Sequence, residues 1–481
     1  MVASAQEHQQ VLNTGDVVRE HCNKLHQLYP NNVLLPNETF YKHAQSSYWS
    51  TQQAELQPSC RYQPPDAQGV QSDVRQLVSE NISFAVASGG HSSAIGASNI
   101  EAGVTIDLSS LSGVELTEDN RAVWLGVGAR WADVYAALEP SGLAVSGGRV
   151  ADVGVGGYVL GGGFSWFANQ YGWTCDSVLE FEVVTPDGQL LHVNAGHHKD
   201  LFWALKGSLG AFGVVTRIKV PAIRNTAVYG GAMSYRQDQM PALCDALETL
   251  GRHAADDLHT QGYISFGWTE KYRSFGTSAY LVNTNGGGPS AAFSAFQEIP
   301  HIGSSLREMT LRESAEEIGE SNYSGMRRSK FTLTTMCDSG SIRLMHQLCR
   351  DAVEATRFDE DGLMGVTFQP LTVSHLQVQS NIFGLLPEDG PLLLVSVELW
   401  WSDADADEYF ERQAKDLYHA LTTAMRRTDA LHAFVYPNYA ARWQKPFDAL
   451  ALESTQRLVS IRRRYDPDGS WQRLVPGIRH V

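Results

Sequence analysis

The sequence contains no apolar stretch long enough to cross a membrane. A membrane-spanning helix needs roughly 18 or more consecutive apolar residues, and no run in these 481 residues approaches that length. The first eight residues also lack the apolar core of a secretory signal peptide. We therefore expect no membrane as a partner.

Positive charge is scarce. The chain has 37 lysine and arginine residues against 53 aspartate and glutamate residues, which gives a formal net charge of −16. Its only cationic block, Arg462–Arg464, fits the solvated face of a helix. Because nucleic-acid binding requires a cationic surface, we exclude nucleic acid as a partner.

Cysteine is also sparse, with six residues. Cys22 and Cys60 lie in the polar, proline-containing N-terminal region, where a bridge would fix the entry segment; the cysteines could equally be buried thiols. N-x-Ser/Thr sequons occur at Asn37, Asn81 and Asn322. Together these features predict a secreted protein whose signal peptide has been removed.

Hydrophobic periodicity divides the chain into parts with different patterns of helices and strands. Up to about residue 223, helical patterns alternate with short strands; from about 224 to 430, longer strand-like runs alternate with helices. The second pattern is typical of an antiparallel sheet with helices on one side. We predict helices over 13–30, 67–80, 238–253, 405–425 and 448–464. The sequence thus predicts an α+β fold with boundaries near residues 223 and 430.

One short stretch joins an apolar strand to a glycine turn and a histidine. Phe84–Ala87 predicts a strand, and Ser88-Gly-Gly-His91 follows it directly. Glycine permits positive φ and close approach of the backbone to a ligand, and the N–H groups of Gly89 and Gly90 suit phosphate oxygens. Since a lone histidine is more often structural, this turn does not assign a function by itself.

A second glycine cluster spans residues 147–163. It does not fit a dinucleotide-binding G-x-G-x-x-G fingerprint, because counting from Gly154 places Val159 at the third glycine. Valine, leucine and tyrosine are interleaved with the glycines, which argues against a flexible linker. We interpret the run as backbone packed closely against a large flat ligand.

Several motifs occur in a specific order along the chain. They are Ser88-Gly-Gly-His91, Val153-Gly-Val-Gly-Gly157 with Gly161-Gly-Gly163, Asp200-Leu-Phe-Trp-Ala-Leu205, Phe212-Gly-Val-Val-Thr216, Tyr436-x-Asn-Tyr439 and Tyr465-Asp-Pro467. With them, the chain resembles the berberine-bridge-enzyme-like flavoproteins of the vanillyl-alcohol-oxidase superfamily, particularly fungal members. The resemblance implies a two-lobe PCMH-type FAD-binding fold. Residues 1–223 and 431–481 would bind FAD, and 224–430 would form an antiparallel-sheet substrate lobe.

The resemblance also implies how FAD is held. His91 would bond covalently to the flavin 8α-methyl group, and the Ser88–Ser93 backbone would hold the pyrophosphate. Many relatives add a cysteinyl bond, but the matching position here is Val150, so we expect a single covalent link. Implied cofactor contacts are Ser88, Gly89, Gly90, His91, Ser92, Ser93, Val153, Gly154, Gly157, Gly162, Val215 and Asn438.

The chemistry implied is oxidation of an alcohol, sugar or secondary metabolite. Hydride would pass to the flavin, dioxygen would reoxidise it to give hydrogen peroxide, and the small side chain of Val153 matches a position that in relatives accompanies oxygen access. A base would take the substrate proton. Tyr436 is our first choice, although a phenol with pKa ~10 needs a cationic or hydrogen-bonded setting, and Glu398 is the second. Gln369 and Tyr158 are candidate cavity residues.

Other interpretations remain open at this stage. A redox-neutral cyclase or isomerase could keep flavin as a structural platform, and a non-catalytic binding protein would need a vestigial cofactor site. Departures from the family pattern affect polar groups near the cofactor: Ala87 replaces arginine, Ala211 replaces asparagine, and Leu450-Ala451 replaces Tyr-Gly. No zinc-type spacing accompanies His197-His198, so we expect no metal. We expect a monomer.

Overall fold

The computed structural model describes residues 2–378 and 380–478, with side chains from residue 15 onward. The N-terminal part contains helices α1 (Val2–Leu28), α2 (Thr39–Ser46), α3 (Thr51–Ala54), α4 (Ala67–Ser79), α5 (Trp131–Leu138), α6 (Val155–Leu160), α7 (Ala168–Tyr171) and α8 (Lys199–Ala204). Its strands are β1 (Val33–Leu34), β2 (Cys60–Tyr62), β3 (Phe84–Ala87), β4 (Val104–Asp107), β5 (Val114–Leu116), β6 (Ala122–Gly126), β7 (Leu143–Ala144), β8 (Glu180–Val184), β9 (Leu190–Asn194), β10 (Val214–Pro221) and β11 (Ile223–Arg224).

These strands form two main sheets. A four-stranded mixed sheet has the order β1-β2-β4-β3, with β4 parallel to both β2 and β3. A five-stranded antiparallel sheet has the order β5-β6-β10-β8-β9. Because β3 is an edge strand of the mixed sheet, the glycine turn that follows it leaves the sheet at its border.

The remainder of the chain builds a larger sheet. Its strands are β12 (Val228–Tyr235), β13 (Thr260–Thr269), β14 (Ser274–Asn283), β15 (His301–Ser304), β16 (Arg307–Met309), β17 (Arg327–Met336), β18 (Leu363–Leu371), β19 (Leu392–Trp401) and β20 (Leu431–His432). Its helices are α9 (Met240–Arg252), α10 (Ser294–Gln297), α11 (Leu311–Gly319), α12 (Ser339–Ala355), α13 (Val373–Leu376) and α14 (Asp407–Arg427), followed by α15 (Leu452–Tyr465) and α16 (Ser470–Leu474). None of these described helices combines the length and apolar character that a membrane crossing requires.

The nine-stranded sheet is antiparallel, with the order β15-β12-β14-β13-β18-β19-β17-β20 and β16 beside β12. Along β19, Val395 and Val397 belong to the hydrophobic core formed with α9, α12 and α14. Since side chains alternate across a strand, Ser396 and Glu398 point to the opposite face. The predicted α+β fold with an antiparallel-sheet lobe is confirmed. The division at residues 223 and 430 stays a prediction; the last strand of the large sheet, β20, lies just beyond residue 430.

Local sequence signals explain several elements. Asp66 caps α4 by accepting a hydrogen bond from Gly69 N at 2.8 Å, and Val70, Val74 and Leu77 bury one face of that helix. This helix matches the one predicted over 67–80. By contrast, α1 begins well before residue 13, because residues 2–12 are largely good helix formers without the apolar spacing on which our prediction depended.

The helix α6 lies inside the glycine-rich run and was not predicted. A Cβ at Gly156 would come within 3.1 Å of Ser88 Oγ and of Val127 Cβ. Gly156 therefore allows this short helix to pack closely against Ser88 and Val127. These tertiary contacts outweigh the poor helix propensity of glycine.

A disulfide joins Cys22 of α1 to Cys60 of β2, as the N-terminal cysteine pair suggested. The bridge links residues 38 apart in sequence. By restricting the unfolded chain, it raises the free energy of unfolding by roughly 4 kcal/mol according to the loop-closure relation. The other cysteines are buried thiols.

Candidate cofactor and substrate site

A cavity of about 750 Å³ lies where the N-terminal sheets, the C-terminal segment and the large sheet meet. This volume is within the range of roughly 300–1,000 Å³ typical of small-molecule sites. Most of the predicted cofactor residues line it: Ser88, Gly89, Gly90, His91, Ser92, Ser93, Val153, Gly154, Gly157, Val215 and Asn438. Tyr436 and Tyr158 line it as well.

The turn after β3 is held tightly against the glycine-rich run. Ser88 Oγ donates to the carbonyl of Val127 at 2.6 Å and accepts from Gly156 N at 3.2 Å. A Cβ on Gly89 would lie 2.3 Å from Gly154 N, and a Cβ on Gly154 would lie equally close to Gly89 N. Glycine is required at both positions because the two backbones touch.

The same turn presents free backbone donors. The N–H groups of residues 90–93 donate to no residue that the structure describes, and all four residues line the cavity. Gly90 has φ of +68°, so the chain curls and successive N–H groups form an anion-binding concavity. The cavity wall also carries Arg149, Lys330, Arg442 and Lys445 against one carboxylate, Asp448. The free N–H groups of this turn fit a pyrophosphate.

His91 is enclosed on several sides. Its ring stacks on Trp49 with centroids 4.4 Å apart, its Nε2 is 3.4 Å from Asn322 Nδ2, and the same nitrogen is 3.7 Å from Asp152 Oδ1. Burial lowers the pKa of His91 to about 4; the nearby Asp152 carboxylate opposes this shift and the Lys330 ammonium adds to it. The imidazole is therefore neutral at neutral pH.

Behind Trp49 the stack continues into the large sheet. The Arg328 guanidinium lies 4.0 Å from the Trp49 ring centroid and 3.9 Å from that of Trp400. Burial lowers the pKa of Arg328 to about 10, and the Glu398 carboxylate opposes this shift. The column His91–Trp49–Arg328–Trp400 connects the cofactor turn to β17 and β19.

Tyr436 is buried and accepts two hydrogen bonds. Gly163 N and Asn438 Nδ2 each donate to its hydroxyl at 3.1 Å, and its ring stacks on Trp173 at 4.9 Å. Burial raises the pKa of Tyr436 well above its ordinary value. Asn438 also donates to the carbonyl of Tyr158 at 2.9 Å, so it holds the C-terminal segment against the glycine-rich run.

Three predicted site residues lie outside the cavity wall. Glu398 accepts from Lys330 Nζ at 2.5 Å and from Trp400 Nε1 at 3.1 Å. Burial would raise the pKa of Glu398, but the Lys330 and Arg328 charges outweigh it and the pKa is lowered. Gly162 packs against Tyr436, and Gln369 is buried beside Arg149.

The sequence motifs did not reveal the cations around Tyr439. Its hydroxyl accepts from Arg149 Nη2 at 3.1 Å, and Lys330 Nζ lies 4.3 Å from its ring centroid. Two cations thus face one phenol. Arg149 is the one cationic residue of the glycine-rich run 147–163, which was a visible signal in the sequence. Lys330 lies in an ordinary strand and gave no such signal.

Comparison with known proteins shows that the fold is shared. The model described as "FAD binding domain" matches residues 58–194. A xylooligosaccharide oxidase from Myceliophthora thermophila superposes with a TM-score of 0.75 at 18% identity, covering 94% of this chain and 97% of that one. A variant of berberine bridge enzyme superposes with a TM-score of 0.73 at 16% identity, covering 92% and 96%. At such identities the likeness concerns the fold.

Sequence relatives decide the assignment. A protein named FAD-dependent monooxygenase tpcD, from Cochliobolus heterostrophus, is 33% identical over 451 residues, which is 90% of this chain and 86% of that protein. The chain belongs to the berberine-bridge-enzyme-like family of FAD-binding oxidoreductases. A second member, FAD-dependent monooxygenase sdcF from Emericella nidulans, is 31% identical and covers 95% of this chain and 97% of its own length. The resemblance to fungal berberine-bridge-enzyme-like proteins is confirmed.

Proposed function

We propose that this berberine-bridge-enzyme-like protein is an oxidase of an alcohol, sugar or secondary-metabolite substrate, with dioxygen as the electron acceptor. The observation that carries the proposal is Tyr439, a phenol facing two cations at the wall of the cavity that also holds the anion-binding turn and His91. The cations favour the phenolate form of Tyr439, and a phenolate is suited to take a proton while the substrate loses a hydride.

We propose further that FAD is attached through His91 alone. The neutral imidazole supports this, because its nitrogen lone pair is available for bond formation. Residues 90–93 would hold the pyrophosphate through their free N–H groups. Val150, at the position where many relatives carry a cysteine, cannot form a second bond. Residues 1–223 and 431–481 would form the cofactor lobe, and 224–430 the substrate lobe.

When bound, FAD supplies a two-electron acceptor that takes the substrate hydride and passes electrons to dioxygen. Tyr439, ionised to the phenolate before the substrate reacts, would accept the proton from the substrate O–H or N–H and become the neutral phenol. The Arg149 N–H bond to its oxygen and the Lys330 ammonium over its ring stabilise the phenolate that must form. Tyr436 and Asn438 fix the C-terminal segment that carries Tyr439. Val153 lines the cavity, and its small side chain would leave room for dioxygen there.

Monooxygenation is the second candidate, because the names of the sequence relatives describe FAD-dependent monooxygenases. In that case an oxygen atom from dioxygen would enter the product. The redox-neutral alternative would consume no dioxygen at all. The three reactions differ in where the oxygen goes, so one labelling experiment separates them.

We expect turnover under ¹⁸O₂ to release one hydrogen peroxide per product, with no label in the product. Mass spectrometry of the product and a peroxide assay measure both quantities in the same reaction. Labelled product would replace the oxidase by a monooxygenase, and product of unchanged mass without oxygen uptake would favour the cyclase or isomerase. Boiled enzyme with free FAD controls for uncatalysed oxidation.

We also propose that the protein passes through an oxidising secretory compartment, as its disulfide suggests. Asn37 and Asn81 are exposed, whereas Asn322 contacts Trp49 and His91. We therefore expect glycans at Asn37 and Asn81 and none at Asn322 after expression in a eukaryotic secretory host. Peptide mass spectrometry before and after glycan removal tests this; a glycan at Asn322, or none at any sequon, would contradict it.

A further inference from the structure

Arg149 lies in a cage of aromatic rings. Its guanidinium carbon is 4.9 Å from the ring centroid of Phe164, 5.0 Å from that of Trp166 and 5.5 Å from that of Tyr263. Phe164 and Arg149 also line the cavity. The aromatic faces hold the guanidinium by cation–π attraction and fix its plane beside the substrate space.

The charge of Arg149 is not balanced by a carboxylate. Its Nη2 donates to Tyr439 Oη and to Gln369 Oε1, both neutral groups, and no carboxylate in residues 15–378 or 380–478 forms an ion pair with it. Lys330 on the same wall differs, because Glu398 pairs with it at 2.5 Å. A half-buried cation without a counter-charge is unfavourable, so an anion bound beside Arg149 would be stabilised.

Three hydrogen-bond donors in this cluster, one of them on Arg149, lack an acceptor. Arg149 Nη1, Gln369 Nε2 and Trp166 Nε1 are buried and have no hydrogen-bond partner within the described part of the chain. The side chains of Gln369 and Trp166 are themselves 2% exposed. All three orphan atoms are donors, and buried donors are normally satisfied. What the cluster lacks is an acceptor.

We infer that the Arg149 guanidinium, held by Gln369 and the Trp166 ring, forms a subsite at the cavity wall for an anionic oxygen of the substrate. The group that suits a planar guanidinium is a conjugated one, a carboxylate or an ionised phenol. Aromatic side chains of Phe164, Tyr158 and Tyr439 line the adjoining cavity, and flat ring faces stack on flat molecules. The substrate class assigned is thus an acidic aromatic compound, in preference to a neutral sugar.

This subsite deepens the proposed function and rests on it, since it requires a substrate to enter beside Tyr439. Arg149 Nη2 donates to the hydroxyl of Tyr439, so the proposed subsite and the proposed base are adjacent. A substrate oxygen held at Arg149 places the rest of the molecule close to the hydroxyl of the proposed base.

The test is calorimetric titration of the oxidised holoenzyme with benzoate, 4-nitrophenolate and the neutral isostere benzamide. We expect at least one anion to bind at least about tenfold more tightly than benzamide, the worth of a charge-assisted contact. Preference for benzoate identifies a carboxylate, and preference for 4-nitrophenolate identifies a phenolate. Equal affinity for all three compounds would overturn the inference.

Variants test whether the preference for anions arises at Arg149. Arg149→Gln removes the cation, and the nearly isosteric Gln369→Glu gives it an internal partner; each is expected to abolish the anion preference while benzamide affinity stays within about twofold. Arg350→Gln is the matched control, because Arg350 also pairs with a glutamine, Gln237 at 2.8 Å, and covers an aromatic ring away from the cavity. Anion preference retained in both cavity variants, or equal weakening of benzamide, would overturn the subsite.

The outcome is independent of turnover. Anion preference without peroxide release would retain the subsite and reject the oxidase. Peroxide release without anion preference would reject the subsite alone.

Discussion

Replacing His91 with alanine is expected to convert flavin that stays with the denatured polypeptide into flavin that is released. The wild-type protein should give a yellow pellet after acid precipitation, and His91→Ala should leave nearly all of its flavin in the supernatant. The reason is that the resemblance assigns the single covalent bond to His91 and that Val150 cannot supply a second one. Absorbance of pellet and supernatant near the flavin maximum measures the ratio.

The surroundings of His91 support this expectation physically. Burial keeps the imidazole neutral at neutral pH, and the stack on Trp49 restricts its ring to one plane. Asn322 approaches its Nε2 at 3.4 Å. A neutral, oriented imidazole at the mouth of an anion-binding turn is arranged to react with a ligand held there.

His192→Ala serves as the control. His192 lies on β9, is half exposed and pairs with Glu180 at 2.8 Å, away from the cavity. It should retain covalent flavin like the wild type. Flavin that remains in the pellet of His91→Ala, or that is released from the wild type, would show the tether assignment to be wrong.

Replacing Tyr439 with phenylalanine is expected to lower kcat by about 10²–10⁴-fold, the usual contribution of a positioned base. The ring stays in place under the Lys330 ammonium, so the loss reports the hydroxyl. Flavin reduction under anaerobic conditions, followed by stopped-flow absorbance with a substrate that bleaches the flavin, measures the affected step.

Tyr436→Phe is the decisive comparison, because our sequence analysis named Tyr436 as the base. Its hydroxyl accepts from Gly163 and Asn438 without a cation in contact, and burial raises the pKa of Tyr436 well above its ordinary value. We expect a loss of about tenfold or less, consistent with a positioning hydrogen bond. A larger loss in Tyr436→Phe than in Tyr439→Phe would restore the original assignment.

Glu398, the other predicted base, is paired with Lys330. Because its pKa is lowered, the carboxylate is ionised at neutral pH but is a weaker proton acceptor than an unpaired one. Its charge instead balances Lys330 on the wall shared with Tyr439. Its catalytic role stays a prediction that the Tyr439 comparison helps to judge.

Much of the local structure follows from the sequence alone. The strand Phe84–Ala87 and helix α4, which begins at Ala67, lie where apolar spacing predicted them. The requirement for glycine after β3 was also readable, because a turn of that kind needs positive φ, observed at Gly90. The strand, the helix start and the glycine turn depend on residues close in sequence. Hydrophobic periodicity and turn residues therefore predict them.

The proposal of Tyr439 as the base depends on tertiary structure. Tyr436 and Tyr439 belong to one short motif, and nothing in their immediate sequence distinguishes them as proton acceptors. The difference comes from Arg149, 290 residues away in the chain, which donates to Tyr439, and from Lys330 on the large sheet. Charges act through space, so a phenol's partners depend on how two distant segments pack, which no local pattern encodes.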